Sequence, residues 1–512
     1  MNIERMDALL HHAQVIPANV ALVDLDTGRQ FDYAQLNERV GRVAGFLQQQ
    51  FGVARGDRVA VLSQNSSDVF EIQFACWRIG AVFVPVNWRL TVPELEYILS
   101  DAAPRVLVGD TAFAPVLEEL GVRLDSARLV ERGAADSDYE TLIASARPAA
   151  TESVMLGETA SLIYTSGTTG RPKGAQISHL MELYSYLNYI CATSITRDSR
   201  ALAALPLFHV GGLNCFPNPI LYLGGSVLVM KNFEPGRFLQ LLADSEQAVT
   251  HVFGVPTIFA AMAREPEFRH ADFSHLVCAA VGGASVPLPL LDVLEAQGLP
   301  VQQAWGMTES TSLGSILERD RARDKLGSAG LPAQHVKMRI ADDCGQQLRA
   351  GVVGELQVKG PSITRGYWNR PDATEKSFVD GWFRTGDAAC LDEEGYLFIV
   401  DRWTDMYISG GENVYPAEVE SVLSEIDGVV EAAVIGIPDE RWGQVGRAFI
   451  VRRPGASLSE REVLAHCNGR LARYKIPREV VFAGELPHNA AGKLLKAQLP
   501  RTPRAAEPSD SN

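Results

Sequence analysis

The stretch YTSGTTGRPKG at residues 164–174 combines residue types that can bind a polyphosphate. Its glycines let backbone N–H groups approach an anion closely, and its Thr and Ser hydroxyls supply further donors. Arg171 and Lys173 add positive charge. The stretch departs from the phosphate loop G-x-x-x-x-G-K-[ST], because Pro172 replaces the second glycine and Gly174 follows the lysine. A flexible surface loop is the alternative, which the apolar run SLIY at 161–164, leading into the loop, disfavours.

Length and composition describe the kind of protein that carries this loop. A chain of 512 residues exceeds a single core, so at least two domains are expected. Hydrophobic residues make up 46% and charged residues 21%, an ordinary globular balance. The net charge of −15 argues against a nucleic-acid partner, which requires a basic surplus. An anionic small molecule needs only locally placed donors.

Cysteine usage and the chain start favour a cytoplasmic protein. The seven cysteines are scattered and form no C-x-x-C pair, which argues against a zinc site and against a disulfide framework. The opening MNIERMDALLHHAQ is charged and amphipathic, unlike a signal peptide. No run reaches the roughly 18 apolar residues of a transmembrane span, so we expect none. Peripheral membrane contact stays open.

Strand and helix patterns alternate along the first three-quarters of the chain. Buried strands are predicted for RVAVLS (58–63), AVFVPVN (81–87), RVLVGD (105–110) and GSVLVM (225–230), with the helix SSDVFEIQFACWRIG at 66–80. This alternation indicates βαβ units and largely parallel sheets. From Gly351 onward, short strands with glycine turns indicate a more β-rich module.

The last part of the chain has a third pattern of predicted secondary structure. Residues 429–453 predict two strands around a polar loop, and Ser459 with Glu462 predicts a capping box at a helix start. We therefore predict an α/β fold with a large N-terminal domain at 1–401, which holds the βαβ-type sheets and the small β-rich module. A hinge at 402–405 and a small mobile C-terminal α+β domain at 406–499 follow. The Pro- and Ser-rich residues 500–512 are predicted to be disordered.

Seven segments together resemble one known family. SGTTGRPKG resembles the signature of the adenylate-forming superfamily, which includes acyl-CoA synthetases, aryl-CoA ligases, beetle luciferases and nonribosomal adenylation domains. Six further segments resemble that family's motifs in the family's order and extend the resemblance over nearly the whole chain: LPLFHVGGL (205–213), VGGASVP (281–287), AWGMTES (304–310), GWFRTGD (381–387), DRWTDMYISGGENVYPAEVE (401–420) and HNAAGKLLK (488–496).

The resemblance implies an ATP site and its chemistry. Glu309 and Thr165 are expected to hold Mg²⁺, a hard ion suited to oxygen ligands. The residues implied in ATP or AMP binding are Thr165, Ser166, Gly167, Thr168, Thr169, Lys173, Gly282, Gly283, Ala284, Trp305, Gly306, Met307, Asp387 and Arg402. The catalytic residues implied are Lys493, Thr308, Glu309 and His209.

The resemblance also implies sites for the acid and for coenzyme A. The acyl pocket is expected at His209, Val210, Gly211 and Gly212, and the coenzyme A contacts at Gly410, Gly411, Trp442 and Arg89. Lys493 is expected to act only in adenylation, whereas the pair Gly410–Gly411 lets the pantetheine arm pass. Thr404 stands at the hinge position, where the family usually has Asp or Lys, so a charge interaction of the hinge is lost.

Each of these residues, taken alone, also fits an ordinary structural role without any part in catalysis or binding. TES at 308–310 is a common helix cap, and Asp387 after a glycine is a common turn. Trp305 and His209 are types often found satisfied in a core. Trp442, Arg89 and Lys493 are ordinary surface residues outside the family context.

We predict an AMP-forming enzyme that uses ATP, Mg²⁺ and coenzyme A. An acid and ATP give acyl-AMP and pyrophosphate, and acyl-AMP and coenzyme A then give acyl-CoA and AMP. The substrate is predicted to be a medium- or long-chain fatty acid, or an aromatic or phenylpropanoid acid. Two alternatives are a stand-alone adenylation enzyme that loads a carrier-protein thiol, and a non-catalytic nucleotide-binding module. The sequence does not identify the acyl group within these classes. A homodimer is one possible assembly.

Overall fold

The computed structural model of the protein describes residues 3–123, 128–133, 137–165, 172–284, 286–342, 344–403, 405–409, 412–439, 441–468, 470–488 and 494–501. Within these ranges only the backbone is described for Val122, Arg123, Arg128, Arg402 and Asn413. The chain divides into two compact units. Unit 1 comprises Met1–Met338 and Val358–Phe383, and unit 2 comprises Arg339–Gln357 and Arg384–Asn512. The predicted division at residues 402–405 stays a prediction.

The strands follow one another along the chain with these bounds: β1 (Val20–Asp24), β2 (Gln30–Asp32), β3 (Arg58–Leu62), β4 (Val82–Val86), β5 (Val106–Asp110), β6 (Arg128–Arg132), β7 (Thr159–Thr165), β8 (Lys173–Ser178), β9 (Arg200–Ala203), β10 (Ser226–Val229), β11 (His251–Gly254), β12 (Cys278–Gly282), β13 (Val301–Trp305), β14 (Ser315–Ile316), β15 (Leu331–Pro332), β16 (Lys337–Ala341), β17 (Gly354–Lys359), β18 (Phe378–Val379), β19 (Trp382–Leu391), β20 (Leu397–Arg402), β21 (Tyr407–Ser409), β22 (Glu412–Val414), β23 (Val429–Asp439), β24 (Gly443–Arg452) and β25 (Glu479–Ala483).

The α-helices have these bounds: α1 (Ala8–Val15), α2 (Tyr33–Gln49), α3 (Ser67–Arg78), α4 (Val92–Ala102), α5 (Ala114–Arg123), α6 (Asp138–Ser145), α7 (His179–Thr193), α8 (Val210–Asn214), α9 (Pro217–Leu223), α10 (Pro235–Ala243), α11 (Pro256–Met262), α12 (Leu288–Ala296), α13 (Pro371–Lys376), α14 (Pro416–Ser424) and α15 (Glu460–Cys467). Short 3₁₀ helices include Thr308–Ser310 and Lys496–Gln498. Among the helices that the structure describes, none is both long enough and apolar enough to cross a membrane.

Two sheets dominate unit 1. The nine-stranded sheet has the order β15-β14-β13-β12-β11-β9-β10-β1-β2, and the six-stranded sheet has the order β6-β5-β3-β4-β7-β8. Pairing is parallel from β13 to β1, where Leu22 of β1 pairs with Val227 of β10. The strands predicted around residues 58–63, 81–87, 105–110 and 225–230 are confirmed as β3, β4, β5 and β10. The predicted βαβ architecture is therefore correct.

Helices cover the faces of both sheets and bury their apolar runs. One core lies between the nine-stranded sheet and the helices α10 to α12, with Phe238 and Phe259 fully buried in it. A second core lies between the six-stranded sheet and the helices α4 and α5. The strands in both cores read as continuous apolar runs because each is buried on both faces.

Helix α3 links the two sheets of unit 1 through buried charges. The Arg39 guanidinium of α2 donates to both Glu71 carboxylate oxygens, at 2.7 and 3.0 Å. Arg132 of β6 donates to Asp68 at 2.9 Å, and the Ser67 N–H at the start of α3 donates to Asp24 of β1 at 3.1 Å. Buried charges are tolerated only when they are paired and hydrogen-bonded. These contacts fix the position of α3 between the two sheets.

Most of unit 2 consists of two small sheets. One has the order β16-β17-β19-β18 with β20 beside β19, and the boundary between the units passes through β16, β17 and β19. The other has the order β22-β21-β24-β23 with β25 beside β24. Residues 429–453 form the predicted strand pair β23 and β24. Helix α15 begins at the predicted capping box, where the Glu462 N–H donates to the Ser459 hydroxyl at 3.3 Å.

Candidate active site

Three of the predicted motifs meet at the carboxyl ends of neighbouring parallel strands in unit 1. Strands β13, β12, β11 and β9 lie side by side in that order. β13 leads into Gly306, β12 leads into Gly283, and β9 is followed after a turn by His209. Ligands of open α/β sheets bind outside such carboxyl ends. The segments that carry Gly283, Gly306 and His209 therefore share one edge of the nine-stranded sheet.

The predicted phosphate loop connects two antiparallel strands of the six-stranded sheet. Thr165 at the end of β7 lies directly opposite Lys173 at the start of β8. The two flanks of the loop are thus held as one cross-strand pair. The other predicted residues of the loop lie outside the described residues: Ser166, Gly167, Thr168, Thr169 and Arg171.

Tyr367, which none of the sequence motifs contains, contacts both Lys173 and Glu309. The Lys173 ammonium nitrogen lies 5.0 Å from the centroid of the Tyr367 ring. The Tyr367 hydroxyl donates to Glu309 Oε1 at 2.7 Å. Burial and the Glu309 carboxylate raise the pKa of Tyr367, so its hydroxyl remains a donor. A predicted phosphate-binding cation and a predicted metal ligand therefore touch the same side chain.

Backbone pairing places Tyr367 in this position. The Gln176 N–H donates to the Gly366 carbonyl at 3.1 Å, and the Trp368 N–H donates to the Gly174 carbonyl at 2.8 Å. Gly366 has a φ of 143°, and a Cβ there would overlap the Thr374 side chain. The segment at 366–368 is therefore added to the edge of β8 beside the predicted phosphate loop.

Glu309 is buried and held by its backbone as well as by Tyr367. Its side chain is 6% exposed, and its carbonyl accepts from the Thr364 N–H at 2.7 Å. The 3₁₀ helix Thr308–Ser310 presents Glu309 directly after β13. The cap of this helix is provided by Ser310, whose hydroxyl accepts from the Met307 N–H at 3.0 Å. Thr308 and Glu309 are thus not required for capping.

The chain after Glu309 turns back through unusual backbone angles. Thr311 and Ser312 have φ values of 54° and 85°, which side-chain-bearing residues rarely adopt. A Cβ at Gly306 would overlap the Ser312 carbonyl oxygen, so this turn requires a glycine there. Such strain is often found at functional sites.

Trp305 and the Gly282–Ala284 segment lie at the adjacent ends of β13 and β12. Trp305 is buried, and a Cβ on Gly314 would overlap its ring. Gly282 pairs with Ala304, and a Cβ on Gly282 would lie 2.6 Å from the Ala304 carbonyl oxygen. Gly283 has a φ of 81°, and Ala284 after it is exposed. Their contact with adenine stays a prediction.

His209 differs from a satisfied core histidine. Its Nε2 is buried and has no hydrogen-bond partner among the described residues. Burial and the nearby Arg89 guanidinium lower the pKa of His209 to about 4, so the ring is neutral near pH 7. The Phe208 ring lies 4.7 Å from the His209 ring, centroid to centroid. A neutral, unpartnered imidazole can donate to a carboxylate without adding charge.

The two glycines after His209 serve different purposes. Gly212 lies within α8, and a Cβ there would overlap the Pro206 carbonyl oxygen, so a glycine is needed for α8 to lie this close to the preceding segment. A Cβ on Gly211 would lie 3.5 Å from Leu205 Cδ1 and 3.8 Å from Phe253 Cε1, which are ordinary contacts. Val210 packs with the buried cluster of Ile163, Ile177 and Met181. The predicted acyl pocket at these positions stays a prediction.

Arg89 lies on the His209 side of unit 1. Its guanidinium carbon is 4.9 Å from the Trp88 ring centroid and 6.0 Å from that of Phe208. Trp88 in turn stacks on Phe113 at 5.4 Å. We call Trp88, Phe113 and Phe208 the aromatic cluster. The predicted contact between Arg89 and coenzyme A stays a prediction.

The oxygen donors in unit 1 fit a magnesium ion bound together with phosphates. Within the described ranges no group of three or more His, Cys, Asp or Glu residues could hold a metal. Glu309 offers one carboxylate, and Thr165 lies at the flank of the predicted phosphate loop. Mg²⁺ is commonly held by one or two carboxylates plus substrate phosphates and water. The predicted ligand pair matches that chemistry.

Unit 2 carries the remaining predicted residues that the structure describes. Asp387 is buried on β19, pairs with Arg402 on β20, and donates its N–H to the Thr385 hydroxyl at 3.1 Å. Trp442 is 39% exposed between β23 and β24, with the Arg441 guanidinium 4.9 Å from its ring centroid. The predictions for the Arg402 side chain, Thr404, Gly410, Gly411, Lys493 and residues 502–512 lie outside the described part of the chain.

Comparison with known proteins shows matches along most of the chain. Residues 9–368 match the family model described as AMP-binding enzyme, and residues 418–493 match its C-terminal domain model. A feruloyl-CoA synthase from Amycolatopsis is 42% identical over 93% of this chain and 94% of its own. The long-chain-fatty-acid–CoA ligase FadD13 of Mycobacterium tuberculosis is 37% identical over 96% of this chain and 97% of its own.

A solved structure gives the same result for the fold. O-succinylbenzoate coenzyme A synthetase (MenE) from Bacillus subtilis, in complex with ATP and magnesium ion, superposes with a TM-score of 0.87. It is 35% identical to this chain, with 97% of this chain and 100% of that chain covered. The similarity therefore extends over both compact units.

Proposed function

We propose a substrate class for this chain, which belongs to the AMP-binding enzyme family and is an ATP-dependent acyl-CoA synthetase. The enzyme converts an acid and ATP into acyl-AMP and pyrophosphate, and then transfers the acyl group to coenzyme A. The substrate we propose is an aromatic acid whose ring is joined to the carboxylate by a short carbon chain. A long-chain fatty acid is the alternative.

The observation that carries this proposal is the surroundings of His209. Its buried Nε2 has no partner among the described residues, so a carboxylate oxygen can accept a hydrogen bond there. Phe208 lies against the His209 ring, and the aromatic cluster continues from Phe208 to Trp88 and Phe113. Aromatic rings favour edge-to-face and offset contacts with another aromatic ring. A flat aryl group close to its carboxylate matches these walls.

The comparisons support the same choice. The feruloyl-CoA synthase shares 42% of aligned residues with this chain, against 37% for the long-chain-fatty-acid–CoA ligase. Gly211 adds room for a rigid group, because even a Cβ there makes only ordinary contacts with Leu205 and Phe253. Together these points favour an aryl acid over a long alkyl chain.

The described residues have different roles in the first half-reaction, the formation of acyl-AMP. His209 orients the carboxylate, and Lys173 with Thr165 binds phosphate oxygens as pyrophosphate departs from the α-phosphate. Glu309, oriented by Tyr367, would hold Mg²⁺ with Thr165. When bound, the ion neutralises charge on the phosphates. Thr308 contacts the α-phosphate.

The remaining predicted residues, from both units, complete the proposal. Asp387 accepts from the ribose hydroxyls with Arg402 beside it, Trp305 stacks on adenine against Gly282 and Gly283, and Lys493 acts in adenylation alone. Gly410, Gly411, Trp442 and Arg89 contact coenzyme A. A cytoplasmic location is supported by the seven cysteines, which are all free thiols in the structure. A homodimer is the assembly to test by light scattering.

The test is pyrophosphate release from ATP across a panel of acids, with and without coenzyme A. The panel contains ferulate, indoleacetate, decanoate, hexadecanoate and acetate. We expect kcat/KM for the aryl acids to exceed that for the alkyl acids by at least about tenfold, ~1.4 kcal/mol on the barrier. Coenzyme A should convert each acyl-AMP into its thioester, detected by chromatography.

Three results would contradict parts of this proposal. A higher kcat/KM for hexadecanoate than for every aryl acid would select the fatty-acid alternative. Acyl-AMP that accumulates and does not react with coenzyme A would select carrier-protein loading. ATP binding without pyrophosphate release for any acid would select the non-catalytic module.

A further inference from the structure

Unit 2 contains a buried ion pair close in sequence to the predicted catalytic lysine. The Lys496 ammonium lies 2.8 Å from Glu420 Oε1, and the two side chains are only 12% and 17% exposed. Lys496 starts the 3₁₀ helix Lys496–Gln498, three residues after Lys493. Glu420 belongs to α14 and also accepts from the Val434 N–H of β23 at 2.6 Å. The pair therefore links three elements of unit 2.

Lys496 faces more than one carboxylate. Burial lowers its pKa, but Glu420, Asp401 and Asp405 raise it by more, so the pKa lies above its ordinary value. Asp401 lies in β20, directly before the predicted hinge at 402–405, and its Oδ2 accepts from the Ala417 N–H of α14 at 2.7 Å. Lys496 contacts α14 through Glu420, and the same helix contacts β20 through Asp401, which lies directly before the predicted hinge.

The chain on either side of residues 489–493 is paired as a stem. His488 and Leu494 form an antiparallel bridge, and the Leu495 N–H donates to the Pro487 carbonyl at 2.7 Å. His488 Nε2 lies 2.6 Å from Glu431 Oε1 of β23. The stem is therefore held by Glu431 on its first side and, through Lys496, by Glu420 on its second.

A buried ion pair is weak evidence for stability, because desolvation offsets its attraction. Removing one partner, however, leaves an uncompensated buried charge. Such a pair therefore selects one arrangement of the elements that carry it. Here these elements are α14, the strand that leads into the predicted hinge, and the stem. The stem is the paired chain on the two sides of residues 489–493.

We propose that Lys496 is a positioning residue for the adenylation step. Through Glu420 on α14, whose Ala417 N–H donates to Asp401 of β20, it fixes the stem next to Lys493 relative to the strand that enters the predicted hinge. The inference rests on the proposed function of Lys493, and it assigns to Lys496 no contact with a substrate. Losing the Lys496 charge should therefore impair the half-reaction that needs Lys493 and spare the other.

The experiment compares four single variants of the full chain in single-turnover assays with ferulate. Acyl-AMP formation is followed by pyrophosphate release, and consumption of supplied acyl-AMP is followed by thioester formation. Lys496→Met should slow acyl-AMP formation at least about tenfold and change thioester formation less than about threefold. Lys496→Arg should keep both rates within about threefold. Lys493→Ala gives the reference for selective loss of adenylation.

Lys475→Met is the matched control. The Lys475 ammonium lies 2.6 Å from Glu418 Oε1, so this variant breaks another Lys–Glu pair on the same helix α14. Both half-reactions should stay within about threefold of the unmodified enzyme. If Lys496→Met itself misfolds, the double variant Lys496→Met/Glu420→Gln removes both charges and keeps an acceptor for the Val434 N–H. It should show the same selective loss.

Hydrogen exchange provides a readout that does not depend on activity. Peptides that cover residues 484–488 and 494–499 should lose protection in Lys496→Met and keep it in Lys475→Met. Unchanged protection, or equal loss of both half-reactions, would overturn the inference. If the unmodified enzyme forms no acyl-AMP, the proposed function fails, and the exchange result still decides whether Lys496 holds the stem.

Discussion

At His209 the surroundings of one side chain decide which chemistry it can perform. Burial and the Arg89 guanidinium lower its pKa to about 4, so above about pH 5 the imidazole is uncharged. A neutral ring with an unpartnered Nε2 can orient an anionic acid but does not compete with Lys173 for phosphate. The Phe208 ring against it leaves few orientations open to the imidazole.

His209→Ala should lower kcat/KM for the acid and leave ATP binding unchanged. A hydrogen bond to a charged group contributes about 1.5–3 kcal/mol, which corresponds to roughly 10- to 150-fold. The checks are steady-state kinetics with varied acid and calorimetry of ATP binding, with His270→Ala as a surface control. The pH profile of the unmodified enzyme should show no break from His209 above about pH 5. Weaker ATP binding in His209→Ala would contradict this role.

Glu182 of α7 is a buried acid outside the candidate site. Burial raises its pKa to about 7, and the nearby Asn214, Tyr186 and Arg5 offset only part of that rise. Its Oε2 has no partner within the described ranges. Because the unfolded chain ionises near the ordinary pKa of 4.5, folding disfavours the charged form.

Glu182→Gln should stabilise the protein at alkaline pH and have little effect in acid. Below about pH 4.5 the carboxyl is protonated in both states, so its ionisation costs nothing. Between pH 4.5 and 7 the unfolded state loses its proton first, and stability falls as pH rises. Above pH 7 the full cost is present, on the order of a few kcal/mol. Thermal unfolding at pH 5 and pH 8 measures the difference, with exposed Glu38→Gln as control; equal shifts at both pH values would refute it.

At the scale of elements, the strand-like segment at 366–368 decides how Glu309 is held. Tyr367→Phe removes the 2.7 Å hydrogen bond to Glu309 and keeps the ring near Lys173. We expect the Mg²⁺ concentration for half-maximal pyrophosphate release to rise about three- to tenfold, since one hydrogen bond contributes about 0.5–1.5 kcal/mol. Tyr474→Phe on the surface of unit 2 is the matched control. An unchanged Mg²⁺ dependence would show that Tyr367 does not orient Glu309.

Helix α8 contains two adjacent glycines, Gly211 and Gly212, that give a prediction. Gly212→Ala should destabilise the protein by several degrees in Tm, because its Cβ would overlap the Pro206 carbonyl oxygen. Gly211→Ala should fold normally and raise KM for ferulate more than for acetate, since its methyl group would fill space near Leu205 and Phe253. Thermal unfolding and kinetics with both acids test this. Parallel loss for both acids in Gly211→Ala would remove Gly211 from the acyl pocket.

Local patterns were enough to predict most elements. The β-branched runs at 58–63 and 105–110 became β3 and β5, and the pair Ser459–Glu462 caps α15 as expected. These features depend on neighbours within a few residues, which the sequence displays directly. Three of the seven motifs, at 205–213, 281–287 and 304–310, follow parallel strands of the nine-stranded sheet.

Non-local contacts could not be predicted in the same way. Tyr367 reaches Glu309 only because its segment pairs with β8, nearly 200 residues earlier in the chain. No sequence pattern near Tyr367 predicts that its segment pairs with β8. Gly212 is predicted to line the acyl pocket, and the sequence does not show that a Cβ at this position would also overlap the Pro206 carbonyl oxygen. A glycine in a sequence indicates that some atom approaches the backbone closely, but it does not identify that atom.

At the scale of the whole molecule, one chain catalyses two half-reactions. Lys493 and the pair Gly410–Gly411 are predicted to act in different steps, so we predict rotation about residues 402–405. Thr404→Pro restricts φ there and also the residue before it. Adenylation should stay within about tenfold, ~1.4 kcal/mol on the barrier, while thioester formation falls far more.

Single-turnover rates for the two steps decide this prediction. Thr404→Asp and Thr404→Lys, which restore the charges usual in the family, should retain both steps and serve as controls. Consumption of supplied acyl-AMP by Thr404→Pro at the unmodified rate would rule out rotation at this residue.

The pairing of β1 with β10 has a consequence for how the chain is made. Leu22 meets Val227, so about 200 residues must leave the ribosome before the first strand finds its partner. At roughly 5–20 residues per second this takes about 10–40 s. During that time β1 has only β2 beside it, and an isolated hairpin is marginally stable in water. The nascent chain therefore exposes the apolar residues Ala21 and Leu22, and a ribosome-associated chaperone has tens of seconds in which to bind them.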